Sequence, residues 1–216
     1  MRLSFIGMSG IGKSYWSSKL AERGFKRFCC DDLIAKRLAS LLARPDKTVR
    51  PMGEWMGFPF DPHYGERQAQ YLSTEIDVMF EILDYLETAP SESNDNIIID
   101  TTGSIIYTGR PILERLKSLT RIVYLSAPLS VQEEMRRAYV ANPAPVVWGD
   151  KFTKKPHESN EAALARCYPE LLSYRTTLYE QWTDLEIDYW TLRSEAFGVD
   201  DLLQCLGAAE SEVFQP

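Results

Sequence analysis

Apolar residues fall along this chain in two rhythms. Five short runs, Leu3–Ile6, Phe25–Cys30, Ile97–Ile99, Ile122–Leu125 and Leu185–Tyr189, are too brief for helices. Most are apolar without the alternation of a half-exposed strand, so they predict strands covered on both faces. Between them, apolar positions recur at helical spacing, most clearly at Ala69, Leu72, Ile76, Met79, Phe80, Leu83 and Leu86 within Glu66–Leu86. The same reasoning predicts helices over Lys13–Glu22, Leu33–Ala43, Arg110–Ser118, Ser130–Val140, Asn160–Trp182 and Val199–Cys205, the last with a frayed end. Gly24 stops the first of these. Buried strands alternating with helices predict a three-layer α/β/α fold around a five-stranded parallel sheet.

Three stretches interrupt the rhythm. Arg44–Tyr64 is rich in proline, glycine and aromatic residues and predicts a long irregular excursion, a length of loop that is often functional. Pro90–Asn96 predicts a polar linker. Asn142–Pro156 holds three prolines, a glycine and Lys151, Lys154 and Lys155, and cannot be a regular element. At 216 residues with 44% apolar content, one domain over 1–216 is the expectation, with a substrate subdomain over 33–86 and a lid over 141–156.

The formal charge of −7 opposes a general affinity for nucleic acid or anionic membranes, so any anionic ligand must meet a local cluster of positive groups. The four residues between Arg2 and Gly7 are too few for the apolar core of a signal peptide, which predicts a cytoplasmic protein. Cys29, Cys30, Cys167 and Cys205 form no CxxC pair, and with only His63 and His157 no zinc spacing appears. The cysteines are expected to be reduced and structural.

The chemistry begins after the first strand. Gly7-Met8-Ser9-Gly10-Ile11-Gly12-Lys13-Ser14 satisfies GxxxxGK[ST] with a strand before it and a helix after it. Such a loop wraps backbone N–H groups around a β-phosphate, and the helix N-terminus adds its dipole. Lys13 would reach the β- and γ-phosphates of ATP, Ser14 would ligate Mg²⁺, and Tyr15 closes the candidate nucleotide-binding stretch. Asp31 and Asp32 follow the second strand, at the sheet edge where open α/β folds bind ligands. Asp31 is read as a helix cap, and Asp32 as a carboxylate for an acceptor hydroxyl or for Mg²⁺. Asp100 ends the triple-isoleucine strand where a carboxylate orients the metal's waters, followed by the small polar run Thr101-Thr102-Gly103-Ser104, suited to substrate. Arg136 and Arg137 are candidates to counter transition-state charge, and Arg175 is a further candidate, balanced against a surface salt bridge.

With these residues in hand, the chain resembles the shikimate kinase family of P-loop kinases from Leu3 to about Tyr189. The family's phosphate loop matches Gly7–Ser14, and its strand-two aspartate, which contacts the acceptor hydroxyl and helps hold Mg²⁺, falls on Asp32. Gly65-Glu66, Val123-Tyr124-Leu125, Arg136-Arg137 and Arg175 with Leu178-Tyr179 match further segments, the last contributing a substrate-binding arginine in the family. The resemblance implies strand order 2-3-1-4-5 and phosphoryl transfer from ATP to a hydroxyl of a small metabolite, by a monomer or homodimer. Departures cluster on the acceptor side: Cys30 replaces an aspartate, Gln70 an arginine, Ala144 the lid arginine, and Thr101-Thr102-Gly103 a triple glycine. Losing carboxylate-reading arginines, each a charge-assisted bond of about 1.5–3 kcal/mol, argues against shikimate as acceptor. A nucleoside or nucleotide kinase, with Trp55, Phe58, Phe60 and Tyr64 stacking on a base, and a nucleotide-binding switch without transfer are the alternatives.

Overall fold

The computed structural model describes residues 1–88 and 96–211. The linker predicted over 90–96 falls almost wholly outside them, as does the end of the chain.

Five parallel strands, β1 (Arg2–Ile6), β2 (Lys26–Cys29), β3 (Ile97–Asp100), β4 (Arg121–Ser126) and β5 (Leu185–Asp188), form one sheet in the order β2-β3-β1-β4-β5. Alternation along each strand sends side chains to two separate cores. Leu3, Phe5, Ile98, Val123 and Leu125 face helices α1 (Lys13–Glu22) and α10 (Val199–Ser211). Ile6, Ile97, Ile99, Ile122 and Tyr124 join the core that holds α2 (Cys30–Arg37), α5 (Tyr64–Thr88), α6 (Arg110–Leu119) and α8 (Asn160–Glu180). Ser4 is polar on that face yet fully buried, and it is tolerated because its hydroxyl shares a 2.7 Å hydrogen bond with Thr120.

Boundaries depart from the periodicity where local chemistry intervenes. The helix predicted over Leu33–Ala43 begins at Cys30 and breaks at Leu38 into α2 and a short α3 (Ala39–Leu42). Asp31 therefore lies in the first turn, with no side-chain cap at Cys29, and the capping reading of Asp31 is corrected. The irregular excursion contains α4 (Met52–Met56), whose Trp55 and Met56 are buried. Helix α7 (Gln132–Ala141) starts two residues later than the pattern predicts, behind a 3-10 turn at Leu129–Val131. After β5, Asp188 accepts from the backbone N–H groups of Trp190 and Thr191 and so opens α9 (Tyr189–Arg193), which periodicity over five residues cannot reveal. All four cysteines are free.

The segment 142–156 has no helix or strand, as its prolines predict. It is nevertheless tightly packed: Trp148 is fully buried against Tyr139, Tyr168 and Phe152. Its backbone is tied to α5, where Gln68 Oε1 accepts from the Trp148 and Gly149 N–H groups at 2.7 and 3.1 Å. The excursion meets it closely at Gly53, where an added Cβ would overlap the carbonyl of Pro143. We expect Gly53→Ala to cost about 1–3 kcal/mol through forced backbone shifts, seen as a melting temperature lowered by about 3–10 °C. Gly65→Ala, where an added methyl meets nothing within 4 Å, should instead leave stability unchanged or raised.

Candidate active site

The glycines of the first loop adopt conformations that other residues resist: Gly7, Gly10 and Gly12 have φ of 140°, 80° and 115°. At Gly7 a Cβ would also stand 2.5 Å from the carbonyl oxygen of Leu125, so the loop leaves β1 pressed against the end of β4. Gly12 precedes α1 and offers no side-chain cap, which leaves the first-turn N–H groups of that helix for another acceptor. Met8 and Ile11 anchor the loop in the two cores, one on each face. Ser9, Gly10, Ser14 and Tyr15 are exposed.

Lys13 is buried, and its Nζ donates to the carbonyls of Gly7 and Met8 at 2.8 and 3.0 Å. Burial lowers its pKa, while Asp31 and Asp100 oppose that shift. Both carboxylates thus stand close enough to support a cation in the loop.

Two clefts meet at Ser9 and Gly10. The first, about 440 Å³, has Ser9, Gly10, Gly12, Lys13, Ser14 and Tyr15 on one wall and Asp31, Asp32, Ala35, Met52, Tyr71, Gly103 and Pro145 around the rest. The second, about 580 Å³ and more apolar, runs between α7, α8, the segment 141–146 and α9, with Met135, Tyr139, Tyr168, Tyr189 and Arg193 among its walls. The segment 142–156 reaches both, through Pro145 in the first and Asn142, Ala144 and Val146 in the second.

Asp31 is open to the mouth of the first cleft but enclosed by protein elsewhere, and that enclosure raises its pKa against the pull of Lys13; Tyr71 donates to it at 3.3 Å. Asp32 beside it is exposed on the same wall. Cys30, where the shikimate kinase pattern has an aspartate, turns inward onto Met79 with its Sγ 3.7 Å from the thioether sulfur.

Asp100 is 2% exposed. Its Oδ2 accepts from Ser17 at 2.9 Å and from Arg27 Nη2 at 2.6 Å, while Oδ1 is buried with no partner among the described residues. An orphaned buried carboxylate oxygen near the phosphate loop, with the exposed Ser14 hydroxyl, suits a hard cation that keeps most of its waters, as Mg²⁺ does. No cluster of three or more His, Cys, Asp or Glu side chains gathers among the described residues.

Behind Gly103 lies a buried polar cluster that periodicity folds into the apolar face of α5. Glu75 is fully buried and accepts from Thr102 Oγ1 and, at 2.5 Å, from Ser104 Oγ. Burial pushes its carboxyl up to about 7, with the Ser104 and Thr102 hydrogen bonds pulling the other way. Arg175 is buried, not a surface ion pair; its Nη2 donates to Val147 O at 2.7 Å and its plane lies 5.4 Å from the Tyr107 ring. Thr102 is thus committed to Glu75, and Gly103 brings its backbone between the cleft and Arg175.

The remaining candidates stand elsewhere. Arg136 and Arg137 both pair with Glu133 on their own helix, at 2.8 and 2.9 Å, and neither is among the residues lining these two clefts. Lys151 lies over the Tyr174 ring and Lys154 donates to Asn160. Of the aromatics proposed to stack on a base, Trp55 and Tyr64 are buried and Phe58 and Phe60 stack on each other; none is among the residues lining the first cleft. Sequence reasoning missed Ser17, Arg27, Met52, Tyr71 and Glu75, residue types common in any helix or strand and singled out only by their neighbours.

The architecture has known counterparts. The fold is that of the shikimate kinases. A shikimate kinase from Bacteroides thetaiotaomicron superposes with a TM-score of 0.61 at 15% identity, covering 98% of each chain. A shikimate kinase from Acinetobacter baumannii in complex with shikimate gives 0.60 at 19% identity, covering 99% of this chain and 94% of that one. A dephospho-CoA kinase from Campylobacter jejuni gives 0.52 at 16% identity, covering 96% and 95%. No protein-family model and no curated protein sequence matches the chain. No helix among the described residues is long and apolar enough to cross a membrane.

The raised Glu75 pKa carries a pH dependence. The unfolded chain releases this proton near the ordinary 4.5 and the folded chain near 7, so the stabilisation is complete below 4.5 and is lost as pH rises to about 7. The loss is on the order of 3 kcal/mol. In Glu75→Gln, melting temperatures measured from pH 4.5 to 8 should decline less steeply with pH than in the parent.

Proposed function

We propose that this protein is an ATP- and Mg²⁺-dependent kinase that transfers the γ-phosphoryl group to a hydroxyl of a small metabolite. One observation carries the reading: a single cleft has the phosphate-loop lysine and the free start of α1 on one wall and Asp31 with Asp32 on the other. Donor and acceptor would meet there, with the nucleotide's base and ribose in the apolar cleft that shares Ser9 and Gly10.

In this scheme the backbone from Gly7 to Ser14 cradles the phosphates. Lys13 exchanges its carbonyl partners for the β- and γ-phosphate oxygens, where a positive charge follows the charge developing in transfer. Ser14 and Asp100, with Asp32 at the cleft, would hold Mg²⁺, which would supply positive charge to offset that of the phosphates during transfer. Asp32 orients the acceptor hydroxyl and takes its proton. Arg175 sits behind Gly103 as a substrate-side positive charge, and Arg136 and Arg137 would reach the phosphates only by leaving Glu133. The segment 141–156 contributes Pro145 to one cleft and Ala141, Asn142, Ala144 and Val146 to the other, so as a lid it would open for entry and close to exclude water, the competing acceptor.

The test is phosphate transfer from radiolabelled ATP across a panel of small hydroxylated metabolites. An active acceptor should emerge, and Lys13→Ala should lower kcat at least 10²-fold with the fold intact. Asp32→Asn should lower kcat by about 10²–10⁴-fold with a smaller effect on KM for ATP. MgADP binding without transfer to any acceptor would leave the nucleotide-binding switch as the reading.

A further inference from the structure

The interaction between β2 and β3 at Asp100 is oddly incomplete. Arg27 and Asp100 project from the same sheet face as α1, two registers apart on neighbouring strands, since Cys29 pairs with Asp100 and Arg27 with Ile98. A guanidinium can grip a carboxylate with two parallel bonds that satisfy both oxygens. Arg27 does not. Its Nε donates to Ser17 Oγ at 2.7 Å and only Nη2 reaches the carboxylate, on the same Oδ2 that Ser17 already occupies. Two donors crowd one oxygen, and the other is buried without a partner among the described residues.

That arrangement is poor for stability alone. A buried ion pair roughly breaks even against an apolar replacement, and an unsatisfied buried acceptor costs a further 1–3 kcal/mol or so. It is well suited to holding a carboxylate with one oxygen clamped and the other offered to a ligand. Ser17 lies one helical turn beyond Ser14, and Asp100 is close enough to Lys13 and Asp31 to act on both electrostatically. We propose that Arg27 is a positioning residue for the metal: with Ser17 it fixes Oδ2 of Asp100, so that Oδ1 alone is presented to a water of the Mg²⁺ shell. This rests on the reading of the loop as a magnesium–nucleotide site.

The experiment measures Mn²⁺ affinity of the ADP-bound protein by electron paramagnetic resonance and ADP affinity in EDTA by calorimetry, for the parent, Arg27→Gln and Asp100→Asn. Residues that orient a metal's ligands typically change its affinity 10–100-fold. Arg27→Gln should weaken Mn²⁺ binding at least tenfold while ADP affinity in EDTA stays within twofold. Adding Arg27→Gln to Asp100→Asn should bring little further loss, because both act through one oxygen. Mn²⁺ affinity unchanged in a folded Arg27→Gln, or additive losses in the double variant, overturns the proposal. If Arg27→Gln does not fold, Arg27→Lys keeps the charge but not the split donor pair and is read in the same way. Failure of the parent to bind ADP with Mn²⁺ at all would overturn the loop reading itself.

Discussion

The backbone of Gly7 runs so close to the carbonyl of Leu125 that no side chain fits between them, and the geometry of both clefts follows from that contact. It fixes where β1 ends relative to β4, turns the chain toward β3, and delivers Lys13 to the start of α1 at the centre of the sheet. Because β1 is the middle strand, its loop emerges with β3 and Asp100 on one side and β4 on the other. One cleft opens toward α2 and α5 and the second toward α7 and α9. A side chain at position 7 would move the loop away from the strand ends and separate these parts.

Around that centre the protein spends polar groups unevenly. Around the glycine-rich loop several atoms have no side-chain partner among the described residues: the first-turn N–H groups of α1, the exposed hydroxyl of Ser14, and Oδ1 of Asp100. The region behind Gly103 is more fully engaged, with Glu75, Thr102, Ser104, Arg175 and Tyr179 bonded to one another or to nearby backbone, although Arg175 Nε is buried with no partner among the described residues. Tyr179, for example, donates to Gly103 O at 2.6 Å. Such networks hold a backbone in one place, and here the place is Gly103 in the wall of the first cleft. The altered positions of the shikimate kinase pattern meet this wall: Thr102 is engaged by Glu75, and Cys30 has withdrawn into the core.

The aromatic residues have a structural use that composition alone does not disclose. Phe58, Phe60, Tyr139, Trp148, Phe152 and Tyr168 form a chain of ring contacts joining the excursion to the segment 142–156. A proline-rich stretch with no ladder of its own is held by these rings and by Gln68. It is therefore irregular in conformation yet well packed, and any opening over the clefts must break or carry along this cluster.

The fold and the conformation of the glycine-rich loop were legible in the residues themselves because both rest on local rules. Apolar runs of four to six residues, helical spacing between them and glycines ahead of Lys13 have few other structural solutions, and the observed strand order is the one the family resemblance implied. Short elements such as α4 and α9 escaped, since five residues are too few for a period to register. The partners of each charged group were beyond reach for a different reason. Arg27 lies 73 positions from Asp100 and Glu75 lies 27 from Thr102, and each pair is joined by strand register or helix packing with no trace in spacing. The sequence by itself determined the strands, most of the helices and the glycine-rich turn ahead of Lys13. Only the tertiary structure decided which carboxylate oxygens are bonded within the protein and which, like Oδ1 of Asp100, have no partner among the described residues, because that depends on neighbours brought together by the sheet.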